Sequence, residues 1–371
     1  MNLGRLLAMS RKEAIQLRRD PRSLLMAFML PVLLILFFGY AISFDVKNIE
    51  LAVLDQSKTA ASRDLVERFE SSGYFNIRAY PGRYADIDDL LRRGEVKLVL
   101  VIPPEFARDL AAGRPAQVQI VLDGADANTA TIAQSYATAI AARFSVEVLL
   151  RGRQVVLPAE AQSRVWYNET LESRNMIVPG LVAVIMSIIA AMLTALTIAR
   201  EWERGTMEQL AATPVHRVEV VIGKLLPYVA IGLFDAAIAV IAGLVIFGVP
   251  FRGNVVLLSI MTLMFLLGAL SFGMFISATV KSQVLATQLA LQTTYLPAIL
   301  LSGFMFSIST MPVFLQAVTY AIPARYYVTV TKGIFLKGVG PGVLWTEGVA
   351  MIIFATVGLS LAIRAFKKEL G

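Results

Sequence analysis

The chain has no cysteine and a single histidine, His216. The first absence excludes disulfides, thiolate metal sites and a cysteine nucleophile, and it leaves the redox compartment unreadable. The second excludes a multi-histidine metal site, and nothing around His216 has the look of a Ser-His-Asp triad. No G-x-x-x-x-G-K-[ST] run occurs, so the chain carries no phosphate-cradling loop of its own. Charge is scarce as well: 16% of the 371 residues are charged and 57% are hydrophobic, against about 25% and 45–50% in soluble domains. No catalytic residue, metal site or bound cofactor is expected. The net charge of +7 points to membrane topology rather than to nucleic acid, because the basic residues gather beside apolar runs.

Those runs dominate what is present. Six of them, Leu24–Phe44, Met176–Ala199, Val220–Gly248, Val255–Val280, Val284–Phe306 and Trp345–Ile363, approach or exceed the roughly 20 residues that cross a ~30 Å hydrocarbon core. The expected class is an α-helical membrane protein with six transmembrane helices. Residues 1–23 are rich in arginine and place Leu3, Leu6, Leu7, Ala14 and Leu17 near one helical face. They read as an amphipathic helix on the cytoplasmic membrane surface, with its arginines at the lipid phosphates. Arg364, Lys367 and Lys368 close the chain. The excess of positive charge at both ends puts both termini in the cytoplasm.

Between the first and second runs, residues 45–175 have the composition of a soluble domain. Strands are expected at Ile49–Asp55, Phe75–Tyr80, Val96–Ile102 and Val118–Leu122. Helices are expected at Thr59–Ser71, Asp86–Arg93, Pro104–Ala112 and Asn128–Leu150, the last with Asn128 at its N-cap. Alternating strands and helices make this an inserted α/β domain. The unbroken Val/Leu/Ile of Val96–Ile102 suits a strand buried on both faces. With the amino terminus inside, the domain is extracytoplasmic. The plan is therefore an interface helix (1–23), a first span (24–44), the α/β domain (45–175), and spans two to six (176–371).

Arg200–Pro214 is a charged segment pinned between the second and third runs, too short to be a domain. Glu201, Glu203 and Arg204 are placed at the start of a helix, whose positive dipole end favours the acids. Met207 and Leu210 share one face, with Glu208 and Gln209 on another, and Pro214 ends the helix. From the residues alone, an ordinary connecting loop is an equal reading. Polar residues inside the spans are candidates for a transport path, because they are costly in lipid. These are Asp235 in the third span and the run Gln288, Gln292, Thr293, Thr294 and Tyr295 in the fifth. The competing readings are Asp235 pairing with Lys224 or capping a neighbouring helix, and hydrogen bonding between helices for the fifth-span group. Gly232, Gly243, Gly268 and Gly273 are expected at close helix contacts. Ser307–Gly342 is expected to hold a re-entrant or interfacial helix.

The run GluTrpGluArgGlyThrMetGluGlnLeu at 201–210, ThrPro at 213–214, Glu219 and GlyLys at 223–224 resembles the signature of ABC-2 type transporter permeases, the membrane subunits of ATP-binding-cassette exporters. Gln288, LeuSerGlyPheMetPhe at 301–306, Met311-Pro312 and Ile322-Pro323 resemble that family's second conserved block. The resemblance covers nearly the whole chain and leans toward the subgroup with a large outer domain, including bacterial multidrug-efflux permeases. It implies that residues 200–214 form a coupling helix gripped by a separate ABC ATPase subunit. Glu201, Arg204, Gly205, Thr206, Glu208, Leu210, Thr213 and Pro214 would be its coupling residues. It further implies ATP and Mg on that partner, a second permease copy or paralogue, a periplasmic adaptor as an open possibility, and a bacterial inner-membrane location. Asp235, Gln288, Gln292 and Tyr295 are the candidates for contact with a drug-like or lipid-like cargo. Two further classes stay open at this point: an ion-coupled transporter with Asp235 as proton carrier, and an envelope-assembly docking protein. Homodimer against heterodimer is not decided.

Overall fold

We describe a computed structural model of the chain covering residues 2–41, 48–150, 166–168 and 172–366. The expected domain start at residue 45 and the basic pair Lys367 and Lys368 lie outside the described residues. The chain divides into two compact units, Met1–Ser43 with Arg164–Gly371, and Phe44–Ser163. Helices α1 (Leu3–Arg18) and α2 (Pro21–Ala41) open the first unit.

The second unit is a four-stranded sheet with helices between its strands. Its elements are β1 (Ile49–Asp55), α3 (Ala60–Ser71), β2 (Phe75–Ala79), α4 (Ala85–Arg92), β3 (Leu98–Ile102), α5 (Phe106–Ala111), β4 (Gln119–Leu122) and α6 (Ala127–Leu150). The strand order is β2-β1-β3-β4; β1 runs parallel to β2 and β3, and β4 is antiparallel to β3. Thr59 caps α3 by accepting from the Ser62 N–H at 3.2 Å, which satisfies one of the free donors of the first turn. Helix α6 opens one residue before Asn128, and the Asp126 carboxylate accepts from the Thr129 N–H at 3.3 Å. Leu98, Leu100 and Ile102 face a core closed by Leu65, Phe69, Phe106 and Phe144. Val99 and Val101 face a thinner one closed by Ile87. Strand β3 is thus buried on both sides, as its uninterrupted apolar sequence requires.

In the first unit, α7 (Ser173–Glu203) is the axis. It spans 31 residues, about 46 Å at 1.5 Å per residue, and is buried along almost all of it. Around it stand the short α8 (Met207–Ala211), α9 (Arg217–Val245), α10 (Val255–Val280), α11 (Gln283–Leu300), α12 (Val313–Thr319), α13 (Pro323–Lys332) and α14 (Trp345–Ala365). Helices α2, α9, α10, α11 and α13 all pack on α7. The glycines expected at helix contacts are there. A Cβ on Gly273 of α10 would lie 2.6 Å from the Ala191 carbonyl oxygen of α7.

Among the described residues, four helices are long and apolar enough to cross a membrane: α7, α9, α10 and α14. Ala27–Ala41 in α2 is a shorter apolar stretch. The expected fifth span, Val284–Phe306, ends as a helix at Leu300, where Gly303 (φ 79°) turns the chain. Its glutamines and threonines lower its hydropathy below that of the others. In the segment 307–342, α13 is amphipathic and turns Tyr327 and Val330 into the protein. The Tyr327 ring stacks on Phe265 of α10 at 4.3 Å, and its hydroxyl meets Thr262 at 2.8 Å.

The amino-terminal helix departs from expectation. Leu6, Met9, Glu13 and Leu17 are buried, while Leu3 and Leu7 are exposed. The single apolar face assigned to it is split in two, and α9 takes up the inner half. Gly223 of α9 makes this contact possible: a Cβ there would sit 2.8 Å from Met9 Cβ and 3.1 Å from the Leu6 carbonyl oxygen.

Candidate functional site

The segment 200–214 is two pieces joined at a break. Glu201 and Glu203 belong to the last turn of α7, and Arg204 is its C-cap. Gly205 follows at φ 67°, a left-handed conformation that glycine adopts without a Cβ penalty. Helix α8 then runs for only five residues. This corrects the dipole argument. The two acids stand at the carbonyl end of a helix, where the dipole is negative and disfavours them, so other groups must stabilise them.

Glu201 is 3% exposed. Its Oε1 accepts from Lys12 Nζ of α1 at 2.7 Å and from Lys224 Nζ of α9 at 3.1 Å, and its Oε2 accepts from the Thr206 hydroxyl. Lys224, 0% exposed, also donates to Glu13 Oε2 at 2.7 Å. Glu13 Oε1 accepts from the Tyr228 hydroxyl at 3.0 Å. Two acids and two lysines balance in charge, and each carboxylate oxygen has a donor, the condition under which buried ions are tolerated. Glu203 is held separately, accepting from the Gln283 N–H at 2.7 Å. Lys281 Nζ lies 4.2 Å from the centre of the Trp202 ring, a cation–π contact.

Beyond the break, Met207 and Leu210 turn inward and Glu208 and Gln209 outward, as their spacing predicts. The eight residues assigned to coupling therefore separate. Glu201 and Leu210 are buried, Thr206 and Thr213 are half-buried, and Arg204, Gly205, Glu208 and Pro214 are exposed. Thr213 donates to the Leu210 carbonyl at 2.7 Å, and the Pro214 carbonyl accepts from Arg5 of α1 at 2.6 Å. A cavity of about 630 Å³ opens between α1 and this segment, with Met9 and Leu210 among its apolar lining and Arg5, Lys12 and Arg204 among its charges. His216 is the N-cap of α9, with its backbone N–H bonded to Glu219 at 3.0 Å. The other Glu219 oxygen accepts from the Asn2 N–H at 2.6 Å.

The path candidates do not converge. Gln288 and Gln292 lie one turn apart on an exposed face of α11, beside the exposed Leu285, Leu289 and Leu296; Tyr295 is half-buried. Asp235 is 0% exposed on α9, and among the described residues neither carboxylate oxygen has a hydrogen-bond partner. The proposed pairing with Lys224 is not formed. The two lie eleven residues apart, about 16 Å along the helix, and Lys224 is committed to Glu13 and Glu201.

Glu13, Lys12 and Tyr228 were missed by sequence reasoning. A signal existed: Glu13 falls on the apolar stripe of α1, four residues after Met9 and four before Leu17, and Lys224 falls on the buried stripe of α9. An acid on one apolar stripe and a base on another are complementary, but nothing local says that the two stripes meet.

The sequence pattern of a family described as ABC-2 family transporter protein matches residues 21–364. The probable multidrug ABC transporter permease YbhS of Escherichia coli (strain K12) is 35% identical over 368 residues, covering 99% of this chain and 97% of the relative. The probable multidrug ABC transporter permease YbhR of the same organism is 31% identical over 367 residues, covering 98% and 99%. The linearmycin resistance permease protein LnrN of Bacillus subtilis (strain 168) is 21% identical over 390 residues, covering 98% and 100%.

Proposed function

The chain belongs to the ABC-2 family of transporter membrane proteins and is a multi-pass membrane transport subunit, and on that premise we propose that it is the permease of an ATP-driven exporter whose ATPase docks on residues 204–214. ATP and Mg would be held by that partner, since the chain has no phosphate-binding loop. One observation carries the reading. The segment shows Arg204, Gly205, Glu208 and Pro214 to solvent, while Met207, Leu210 and the Glu201 ion cluster anchor it from within. A surface held this way suits a rigid partner, because a push on it is transmitted rather than absorbed.

The remaining parts of the reading follow from composition and exposure. With α2 and α11 added to the four more apolar helices the reading has six spans, which keeps both termini and the 204–214 surface on one side, and the basic amino-terminal residues favour the cytoplasm of a bacterial inner-membrane protein. The unit at 44–163 then lies outside, where a periplasmic adaptor is its proposed partner. Gln288 and Gln292 sit at mid-helix on the exposed side of α11. Polar groups are expensive against lipid, so we assign that face to a second permease copy or paralogue and to the path between the two. The cargo class we propose is drug-like or amphipathic; the word multidrug stands in the names of two relatives, and the amphipathic part is this reading's own.

The test is association. Glu208→Arg reverses a charge on the exposed surface, and Gly205→Pro demands a φ near −65° where 67° is observed. Both variants are expected to insert at wild-type levels and to lose co-purification of the partner ABC ATPase. Normal co-purification with both would overturn the docking surface. A second reading, ion-coupled transport, has one observation in its favour, the unpartnered Asp235 carboxylate. Export that persists after ATP depletion, with the proton gradient maintained, would favour it.

A further inference from the structure

The amino-terminal helix is tied to the docking segment and to α9 along its whole length. Asn2 meets Glu219 at 2.6 Å, Arg5 meets the Pro214 carbonyl at 2.6 Å, and Lys12 meets Glu201 at 2.7 Å. Between them, Gly223 lets Met9 and Leu6 approach α9 more closely than any side chain would allow. At the centre is Glu13, 3% exposed, held by Lys224 on one oxygen and Tyr228 on the other. Residues 224 and 228 are one turn apart on α9, so Glu13 is gripped at two levels of the same face. Lys224 then continues to Glu201 at the end of α7. One buried chain of bonds, Tyr228–Glu13–Lys224–Glu201, therefore joins α1, α7 and α9.

Such a chain is a poor choice for stability alone. Buried ion pairs recover little beyond what they lose in desolvation, and apolar residues of similar volume often do as well or better. What ions supply that apolar contacts do not is a single permitted register, because a slide of one helix by a turn would break every bond at once. We propose that Glu13 is a positioning residue of transport. Through Lys224, Tyr228 and Glu201 it locks α1, the end of α7 and the start of α9 into one body, so that movement of the docking segment reaches α9 without slip. This rests on the docking reading above, and the experiment separates the two.

The experiment uses the full chain with its ATPase in proteoliposomes. The absence of cysteine allows one reporter, Val245→Cys, at the far end of α9, where the native side chain is 77% exposed. The probe is the rate of maleimide labelling with and without ATP. In the otherwise wild-type chain we expect ATP to change that rate at least threefold. In Glu13→Leu with Lys224→Met, which removes one charge of each sign, leaves Glu201 its Lys12 and Thr206 donors and costs the Tyr228 hydroxyl its acceptor, we expect near-wild-type insertion, ATPase co-purification and ATP hydrolysis. The ATP-dependent change at residue 245 should be lost. A purely structural network predicts the opposite, a well-folded double variant with the labelling change intact, and that result overturns the proposal. So does a wild-type chain whose labelling ignores ATP. Loss of ATPase co-purification from the reporter chain itself would count against the docking reading, which is measured separately.

Discussion

Lys224 and Asp235 are both fully buried on α9, eleven residues apart, yet their surroundings are opposite in kind. Lys224 donates to two carboxylates that arrive from α1 and α7. Asp235 has neither a cation nor a donor on either oxygen among the described residues. Near it, α9 presents Gly232, Ala236 and Ala239 to the interior, and Gly232 lies against Leu266 of α10. The lesson is that burial alone does not say what an ion does. At the Lys224 end, charge is spent on holding helices in register. At Asp235, small residues already make the helix packing, and among the described residues the carboxyl forms no hydrogen bond that adds to it.

The comparison breaks first at Lys224. Lys224→Met leaves Glu13 with one donor fewer and Glu201 dependent on the half-exposed Lys12, and stranding one partner of a buried pair costs about 3–5 kcal/mol. The expected outcome is a sharp fall in the thermal midpoint of the purified permease and in the amount inserted. Adding Glu13→Leu should restore most of both. A single variant as stable as wild type would mean that the network is not under load.

Asp235 should respond in the opposite direction. An unsatisfied buried polar group costs about 1–3 kcal/mol, so Asp235→Val is expected to raise stability by about 1 kcal/mol, read as a higher thermal midpoint. If that gain appears and export of a fluorescent drug is lost, the carboxyl serves transport. If stability falls, Asp235 has a partner in the membrane-embedded state, and the contrast with Lys224 disappears.

The smallest effect sharpens the scale. In the α/β unit, Lys97 donates to Asp123 Oδ2 at 2.7 Å, between the starts of β3 and the end of β4, with the lysine 41% exposed. That hydrogen bond, with the Ala125 N–H adding to it, holds the Asp123 carboxyl below its ordinary value. A depressed carboxylate contributes stability that is present above its unfolded value of about 3.9 and is lost as the pH falls through the lower folded value. The difference in thermal midpoint between wild type and Asp123→Asn should therefore be greatest at neutral pH, small throughout, and gone in acid. A difference that grows on acidification would contradict the assignment.

Much of the fold was legible because its signals are local. The long apolar runs mark helices α7, α9, α10 and α14 by length and composition, and alternating strand and helix patterns mark the four-stranded sheet. Within the site, the inward Met207 and Leu210 and the outward Glu208 follow from a period of 3.6. Two other local readings went astray for reasons the structure makes plain. The apolar run stops before Glu201 and Glu203, which suggests a helix start there, whereas α7 continues through them and Gly205 ends it. Spacing alone groups Leu3 and Leu7 with Leu6 and Leu17, whereas α1 buries Leu6 and Leu17 and leaves Leu3 and Leu7 exposed.

What the sequence by itself determined is the class of molecule and the faces of its helices, since hydrophobic periodicity and turn chemistry act over a few residues. Tertiary structure alone decided which charges meet. Glu13 and Lys224 are separated by 211 positions, and no spacing rule connects them. Their pairing exists because Gly223 lets α1 lie against α9, and because a buried lysine must find its carboxylates wherever the packing brings them.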